Sequence, residues 1–207
     1  MARYGMAIDT KRCVGCNACT LACKQANNVP DGVMWSRVLT DGGDMPDTPA
    51  SDGGNLSMRY FPMGCQHCEN PACVKVCPVG ATYKDPETGV VRQDYDKCIG
   101  CRMCMSACPY TGVRNFNWEE PAYHLDFAVG DADVAPHEKH TVEKCTFCWH
   151  RLAKGLQPAC VEVCSARARH FGDANDPDSA VSAILRTRSH EQLLPDEGTD
   201  PNVYFLV

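Results

Sequence analysis

Sixteen cysteines in a chain of 207 residues fall into four groups of four, with none left over. The first group is Cys13, Cys16, Cys19 and Cys23, and the third is Cys98, Cys101, Cys104 and Cys108; both have the spacing C-x2-C-x2-C-x3-C. The second group is Cys65, Cys68, Cys73 and Cys77, and the fourth is Cys145, Cys148, Cys160 and Cys164. These two read C-x2-C, then four or eleven residues, then C-x3-C. In both split groups a Pro-Ala pair introduces the third cysteine, so "PACVKVCPVGA" from Pro71 returns as "PACVEVCSARA" from Pro158. No other feature restricts the fold so tightly, because each thiol needs a partner and the spacing limits which partner it can take.

The compact spacing is that of the bacterial ferredoxin run, in which three cysteines hold one 4Fe–4S cube and the fourth reaches a neighbouring one. Two intervening residues allow a tight turn that aims successive sulfurs at corners of one cube. The fourth cysteine, on the helix that follows, points away. Sixteen thiolates supply four cubes with no remainder. Disulfides would suit a secreted chain, but "MARYGMAIDTKR" ahead of Cys13 holds no apolar run of signal-peptide length, and Lys11-Arg12 precedes a cysteine loop. Structural zinc uses two C-x2-C knuckles some distance apart. Three cysteines within seven residues crowd one tetrahedral ion, so zinc would fit best at the fourth group. The C-x3-C-x2-C pattern of radical enzymes is absent, since Ala26, Gly80, Thr111 and Arg167 stand where its last cysteine would fall.

Composition narrows the function. Aromatic residues are 8% of the chain, which predicts a thin apolar core that the cysteine centres must reinforce. A formal charge of −6 argues against nucleic acid as a partner. No stretch approaches the length of a membrane span. There is no G-x-G-x-x-G and no G-x-x-x-x-G-K, and little room for a molybdopterin site. The sequence reads as a soluble, non-catalytic electron wire made in the cytosol.

Each group sits between a strand-like and a helix-like segment. "RYGMAID", "LSMRYFPM", "GVVRQDYD" and "KHTVEK" lead in, and "NACTLACKQAN", "ACVKVC", "CMSAC" and "ACVEVCSARA" follow. Two such units make one ferredoxin-like module with two cubes. Spacing alone leaves open whether the units pair sequentially or in a nested order. Residues 24–58, with "TDGGDMPDTPASDGGN", and residues 115–140 read as irregular connections. Ser179 is placed as the N-cap of a late helix with Val181, Ile184 and Leu185 on one face. The apolar tail "PNVYFLV" is either a strand docked on its own body or a contact for a larger subunit.

The phrases "CVGCNACTLACKQANNVPDGVMWSRV", "CQHCENPACVKVCPVGA", "YDKCIGCRMCMSACPY", "KCTFCWHRLAKGLQPACVEVC" and "GTDPNVYFL", in this order across residues 4–206, resemble the four-cluster iron–sulfur subunit of the DMSO-reductase family of molybdopterin enzymes. The resemblance implies an α+β fold of two ferredoxin-like modules, one nested inside the other. Residues 1–58 plus 115–207 would form the outer module with a C-terminal arm, and residues 59–114 the inserted inner one. It implies four 4Fe–4S clusters, held by Cys13, Cys16, Cys19 and Cys164; by Cys145, Cys148, Cys160 and Cys23; by Cys65, Cys68, Cys73 and Cys108; and by Cys98, Cys101, Cys104 and Cys77. Some relatives carry an aromatic residue in the third group, whereas this chain keeps Cys101. Ser165 departs from the proline that often follows the last cysteine. The implied partners are a large molybdopterin catalytic subunit and a membrane anchor, quinone-linked subunit or other electron donor. Such a subunit either stays in the cytoplasm or is exported folded beside a partner bearing a twin-arginine signal, and meets the membrane through a partner. A wire of the same kind serving a hydrogenase or formate dehydrogenase is the alternative, and a zinc-held scaffold the outlier.

Arg102 in the third loop and Glu69 in the second predict a higher potential for the cube held mainly by the third group than for the one held mainly by the second. His67 and His150 are read as hydrogen-bonding or surface residues, because no cysteine is missing for a Rieske centre. His124 is read as a surface residue. Trp149 and Tyr110 are read as shields of the cubes from water, and Glu119, Glu120 and Asp126 as solvated loop residues.

Overall fold

A computed structural model describes residues 2–42 and 47–207. The lead-in "RYGMAID" forms β1 (Tyr4–Asp9), and after the first cysteine loop comes α1 (Ala18–Ala26). β2 (Arg37–Thr40), β3 (Ala50–Asp52), β4 (Asn55–Ser57) and β5 (Tyr60–Met63) precede the second loop, which ends in α2 (Ala72–Lys75). β6 (Thr82–Lys84) and β7 (Val91–Gln93) lead to α3 (Met103–Ser106), and β8 (Arg114–Phe116) follows it. β9 (Val142–Lys144), α4 (Trp149–Leu152), α5 (Ala159–Glu162) and β10 (Arg169–Asp173) frame the fourth group. The chain closes with α6 (Ala180–Thr187), β11 (His190–Glu191) and β12 (Val203–Leu206).

The largest sheet joins the two ends of the chain. β1 runs antiparallel to β10, with Met6 opposite Phe171, and parallel to β12, with Met6 opposite Val203; β11 completes the order β10-β1-β12-β11. β1 and β12 lie inside this sheet, so both edges of each are paired, and every residue of β12 is buried. Met6 and Ile8 of β1 and Val203 and Phe205 of β12 build the main core with Val90, Phe147 and Phe171. The tail is thus a strand of the body itself. α6 covers the sheet through Val181, and Ser179 caps it by accepting from the Ser182 amide at 3.1 Å.

The other sheets are two-stranded: β2 with β5, β3 with β4, β6 with β7, and β8 with β9. The stretch read as an irregular connection over residues 24–58 therefore holds three strands, although its residues 43–46 lie outside the described ones. β3 and β4 turn through Gly53 and Gly54, whose φ of 56° and 97° suit a two-residue hairpin loop. Residues 115–140 are irregular after β8, as the sequence suggests. A second, smaller core gathers Cys73, Val91, Cys104 and Val142, where α2 meets α3. Among the described residues no helix is long and apolar enough to cross a membrane.

Candidate metal centres

The four cysteine loops share one backbone device. The residue before each second cysteine has a left-handed conformation: Gly15 (φ 68°), His67 (φ 44°), Gly100 (φ 67°) and Phe147 (φ 54°). In the two compact loops the residue after that cysteine is left-handed too, Asn17 at 58° and Arg102 at 59°, and each begins a helix, α1 or α3. Reversing φ on either side of the middle cysteine curls the loop, so that its thiols face a common space. A Cβ on Gly100 would stand 2.5 Å from the His140 carbonyl oxygen, so glycine is required there for space as well as for φ. In the split groups His67 and Phe147 take the glycine's place. Their rings stack with centroids 3.7 Å apart, which covers the region between the two loops.

The thiols gather across the chain rather than within single groups. Cys23 is fully buried, and desolvation followed by the charges of Cys145, Cys148 and Cys160 pushes its thiol well up. The Asn27 amide donates to Cys23 Sγ at 3.8 Å and to Cys148 Sγ at 3.7 Å, bridging the first and fourth groups. Cys13 is raised by burial and by its neighbours Cys19 and Cys164. In the middle of the chain, burial and then Cys65, Cys73 and Cys108 push the Cys68 thiol up to about 12. Thr82 donates its amide to Cys77 Sγ at 3.4 Å, and its hydroxyl bonds Cys104, which also feels Cys73 and Cys98. α1 lies against α5 and α2 against α3, which brings these sets together.

The repeated "PAC" phrase has one structural meaning. Pro71 and Pro158 begin α2 and α5, and the chain then turns its next amides onto the last sulfur: Thr82 N–H to Cys77, and Ala168 N–H to Cys164 at 3.2 Å. Phe147 N–H donates to Cys145 Sγ in the same way at 3.4 Å. Burial raises the Cys77 thiol, yet the amides of Thr82, Val79, Ala81 and Gly80 outweigh it and hold this thiol below the usual range. Such donors favour ionised sulfur, the form that binds iron.

Three buried cations stand among the thiols. Arg169 donates Nη1 to Cys160 Sγ at 3.5 Å, while its Nε and Nη2 are buried without a partner among the described residues. Both Nη atoms of Arg114 are buried in the same condition. Lys144 is fully buried and donates to the carbonyls of Val91 and Cys145. Sequence reasoning did not single out these three or Asn27. A signal existed for the arginines: each begins the strand after a cysteine group, the third in "CPYTGVRNF" and the fourth in "CSARARHF". Orphaned guanidinium atoms beside gathered thiols fit a resident anionic group, and soft thiolate donors fit iron–sulfur clusters.

The other singled-out residues fall into place. Arg102 is exposed and lies over the rings of Phe116 and Trp118, at 5.4 and 4.6 Å. Glu69 pairs with Lys84 at 2.5 Å. The two charges from which a difference in potential between the third-group and second-group cubes is expected thus each have a near neighbour, rings for Arg102 and Lys84 for Glu69. His67 is fully buried, and its Nδ1 accepts from the Val91 amide at 3.2 Å. His150 Nε2 lies 3.0 Å from Asp131, and His124 is exposed. Tyr110 is buried beside Cys108 and bonds Thr199 at 2.6 Å, fastening the C-terminal arm. Trp149 is half-buried under Arg92. Glu119 and Glu120 are exposed, as is Asp126.

Curled cysteine loops, small sheets and thiols gathered from separate groups define a ferredoxin-type electron carrier. Two models described as 4Fe-4S dicluster domains match the chain, one over residues 56–124 and 131–174 and the other over residues 12–81. Together they imply four clusters, which the sixteen cysteines suit. Along its whole length the chain is 54% identical to the putative iron-sulfur subunit of dimethyl sulfoxide reductase from Halobacterium salinarum, covering 79% of that protein. It is 41% identical to the arsenate respiratory reductase iron-sulfur subunit of a Shewanella species, over 99% of this chain and 96% of that one. It is also 38% identical to a tetrathionate reductase subunit of Salmonella typhimurium, over 99% and 72%. The chain belongs to the family of iron–sulfur electron-transfer subunits of molybdopterin oxidoreductases. It carries electrons and is not itself catalytic.

Proposed function

We propose that this subunit links a large molybdopterin catalytic chain to a second redox partner at or near a membrane, through four clusters arranged in a line. Cys13, Cys16, Cys19 and Cys164 would hold the first, and Cys145, Cys148, Cys160 and Cys23 the second. Cys65, Cys68, Cys73 and Cys108 would hold the third, and Cys98, Cys101, Cys104 and Cys77 the fourth. Residues 1–58 with 115–207 then form an outer module and residues 59–114 an inner one. The observation that carries this reading is Asn27 bonded to both Cys23 and Cys148, with Cys145 and Cys160 beside them. The order of stations is supported by three contacts of charge: Cys160 with Cys19, Cys145 with Cys65, and Cys104 with Cys73.

The clusters supply one-electron transfer when bound. The chain's residues hold them apart from water in the middle and bring them to the surface at both ends. Cys148 and Cys65 are buried, whereas Cys16 and Cys101 are exposed. Val14 and Ile99, each following the first cysteine of a compact loop, are 62% and 63% exposed and give both ends an apolar rim. Electrons would enter at one rim and leave at the other, each facing a partner.

Two measurements test this. Anaerobic purification under native conditions should recover a larger molybdenum-containing chain with this one; recovery of a nickel-containing hydrogenase chain instead would overturn the proposed partner. Cys23→Ser should perturb the electron paramagnetic resonance (EPR) signal of the same cluster as Cys148→Ser, and Cys19→Ser that of a different one. A common signal for Cys23→Ser and Cys19→Ser would overturn the pairing.

A further inference from the structure

Arg169 and Arg114 occupy matching places in the two halves of the molecule. Each is the first residue of a strand, β10 or β8, that follows a cysteine group, the fourth or the third. Each is almost wholly buried, at 7% and 5% exposure. No carboxylate among the described residues forms an ion pair with either. A guanidinium stays protonated at any pH the protein meets, and a buried charge without an opposite charge is strongly unfavourable. Among the described residues, the groups whose negative charge would act on these two are cysteine sulfurs, ionised once they hold iron. Arg169 Nη1 lies 3.5 Å from Cys160 Sγ, and the guanidinium is within reach of the charges of Cys19, Cys145 and Cys23. Arg114, with both Nη atoms buried and unpartnered among the described residues, lies within reach of the charges of Cys73, Cys65, Cys104 and Cys108. On the cysteine pairing proposed above, which this inference rests on, each arginine therefore acts on thiols of both clusters of one module.

We propose that Arg169 and Arg114 are two fixed internal counter-charges of the relay, one in each module, and that each raises the reduction potential of both clusters it acts on. Reduction adds one electron to a cluster and nothing else changes hands, so the whole change is one negative charge placed in a low-dielectric interior. A fixed cation nearby stabilises the reduced form more than the oxidised one. A cation that acts on two stations raises both potentials together. The exposed Arg102, by contrast, lies over two aromatic rings and is screened by water.

The test is an anaerobic redox titration of the full holoprotein followed by EPR, with iron counted per chain, on Arg169→Gln, Arg114→Gln and the charge-keeping Arg169→Lys and Arg114→Lys. Each glutamine variant should move two of the four midpoints negative by a tenfold or greater change in the reduction equilibrium, about 59 mV for a one-electron couple. The two variants should move different pairs, and the lysine variants should stay near wild type. If a glutamine variant fails to load its clusters while the matching lysine variant loads them at wild-type midpoints, the need for positive charge is equally shown. Four loaded clusters with unmoved midpoints in the glutamine variants overturn the proposal. So do a shift spread evenly over all four midpoints, a lysine variant displaced as far as its glutamine counterpart, and loading lost in both. The pairing is read separately from the cysteine variants, so its failure is distinguishable from failure of the arginine role.

Discussion

His137 Nδ1 lies 2.6 Å from Glu143 Oε1, and both side chains are sealed from solvent, at 2% and 0% exposure. The same carboxylate accepts from the Asn117 amide at 2.6 Å and the Trp35 indole at 3.2 Å, while His137 Nε2 reaches the Asn27 carbonyl at 2.9 Å. Since the Asn27 amide holds Cys23 and Cys148, this network ties the 115–140 connection to the buried sulfur pocket.

The pair predicts a pH dependence. Burial pulls the His137 imidazole down, but the hydrogen bond and charge of Glu143 and the Asn27 carbonyl outweigh it and raise it above its usual value. Its stabilisation is therefore complete below the unfolded value of about 6.5 and is lost as pH rises through the folded one. The denaturant midpoint for loss of cluster absorbance should fall between mildly acidic and alkaline buffer more steeply in wild type than in His137→Gln. At mildly acidic pH the substitution should cost about 3 kcal/mol, as expected when a buried pair loses one partner. Equal slopes in the two proteins would refute the assignment.

Gly100 and Gly80 share a left-handed φ, at 67° and 65°, but differ in surroundings. A Cβ at Gly80 meets nothing within 4 Å, whereas one at Gly100 meets the His140 carbonyl at 2.5 Å. Gly80→Ala should cost about 1 kcal/mol for backbone strain alone. Gly100→Ala should cost several times more and release iron on anaerobic gel filtration. Iron retention equal in the two variants would contradict the close approach of His140.

Phe205 is fully buried in the tail strand, while Leu56 is 74% exposed on β4. Phe205→Ala should destabilise by about 3–5 kcal/mol through cavity formation, and Leu56→Ala by less than about 0.5 kcal/mol. Thermal unfolding of the holoproteins compares them directly. A silent Phe205→Ala would mean that β12 is not part of the core.

Burial pushes the Cys108 and Cys160 thiols up to about 11. Iron must displace those protons. Anaerobic reconstitution of cluster-free chain should therefore go further as pH rises from neutral toward alkaline, with protons released in step. A flat pH profile would show that the thiols are ionised before iron arrives.

Much of the site was legible in the sequence because it is local. A C-x-x-C turn closes over a few residues, so spacing alone assigns the four loops, and Gly15 and Gly100 mark the required reversal of φ. The flanking strands and helices were legible for the same reason, from "RYGMAID" as β1 to Ser179 as the cap of α6. The run from residue 24 to 58 was not. Its hairpins depend on partners such as β5 for β2, and its Gly and Asp content reads as loop until that pairing exists.

Spacing determined which residue type each centre uses and how many thiols it has, because the turn geometry is encoded within a few bonds. Only the tertiary structure decided which distant side chains surround those thiols. Asn27 reaches Cys148 across 121 positions, and Arg169 and Arg114 become counter-charges only once strands bury them beside sulfur from elsewhere in the chain. The tail is likewise ambiguous as a sequence, since an apolar strand fits any open edge. It becomes core because β1 offers that edge in the same molecule and the parallel pairing covers both strands at once.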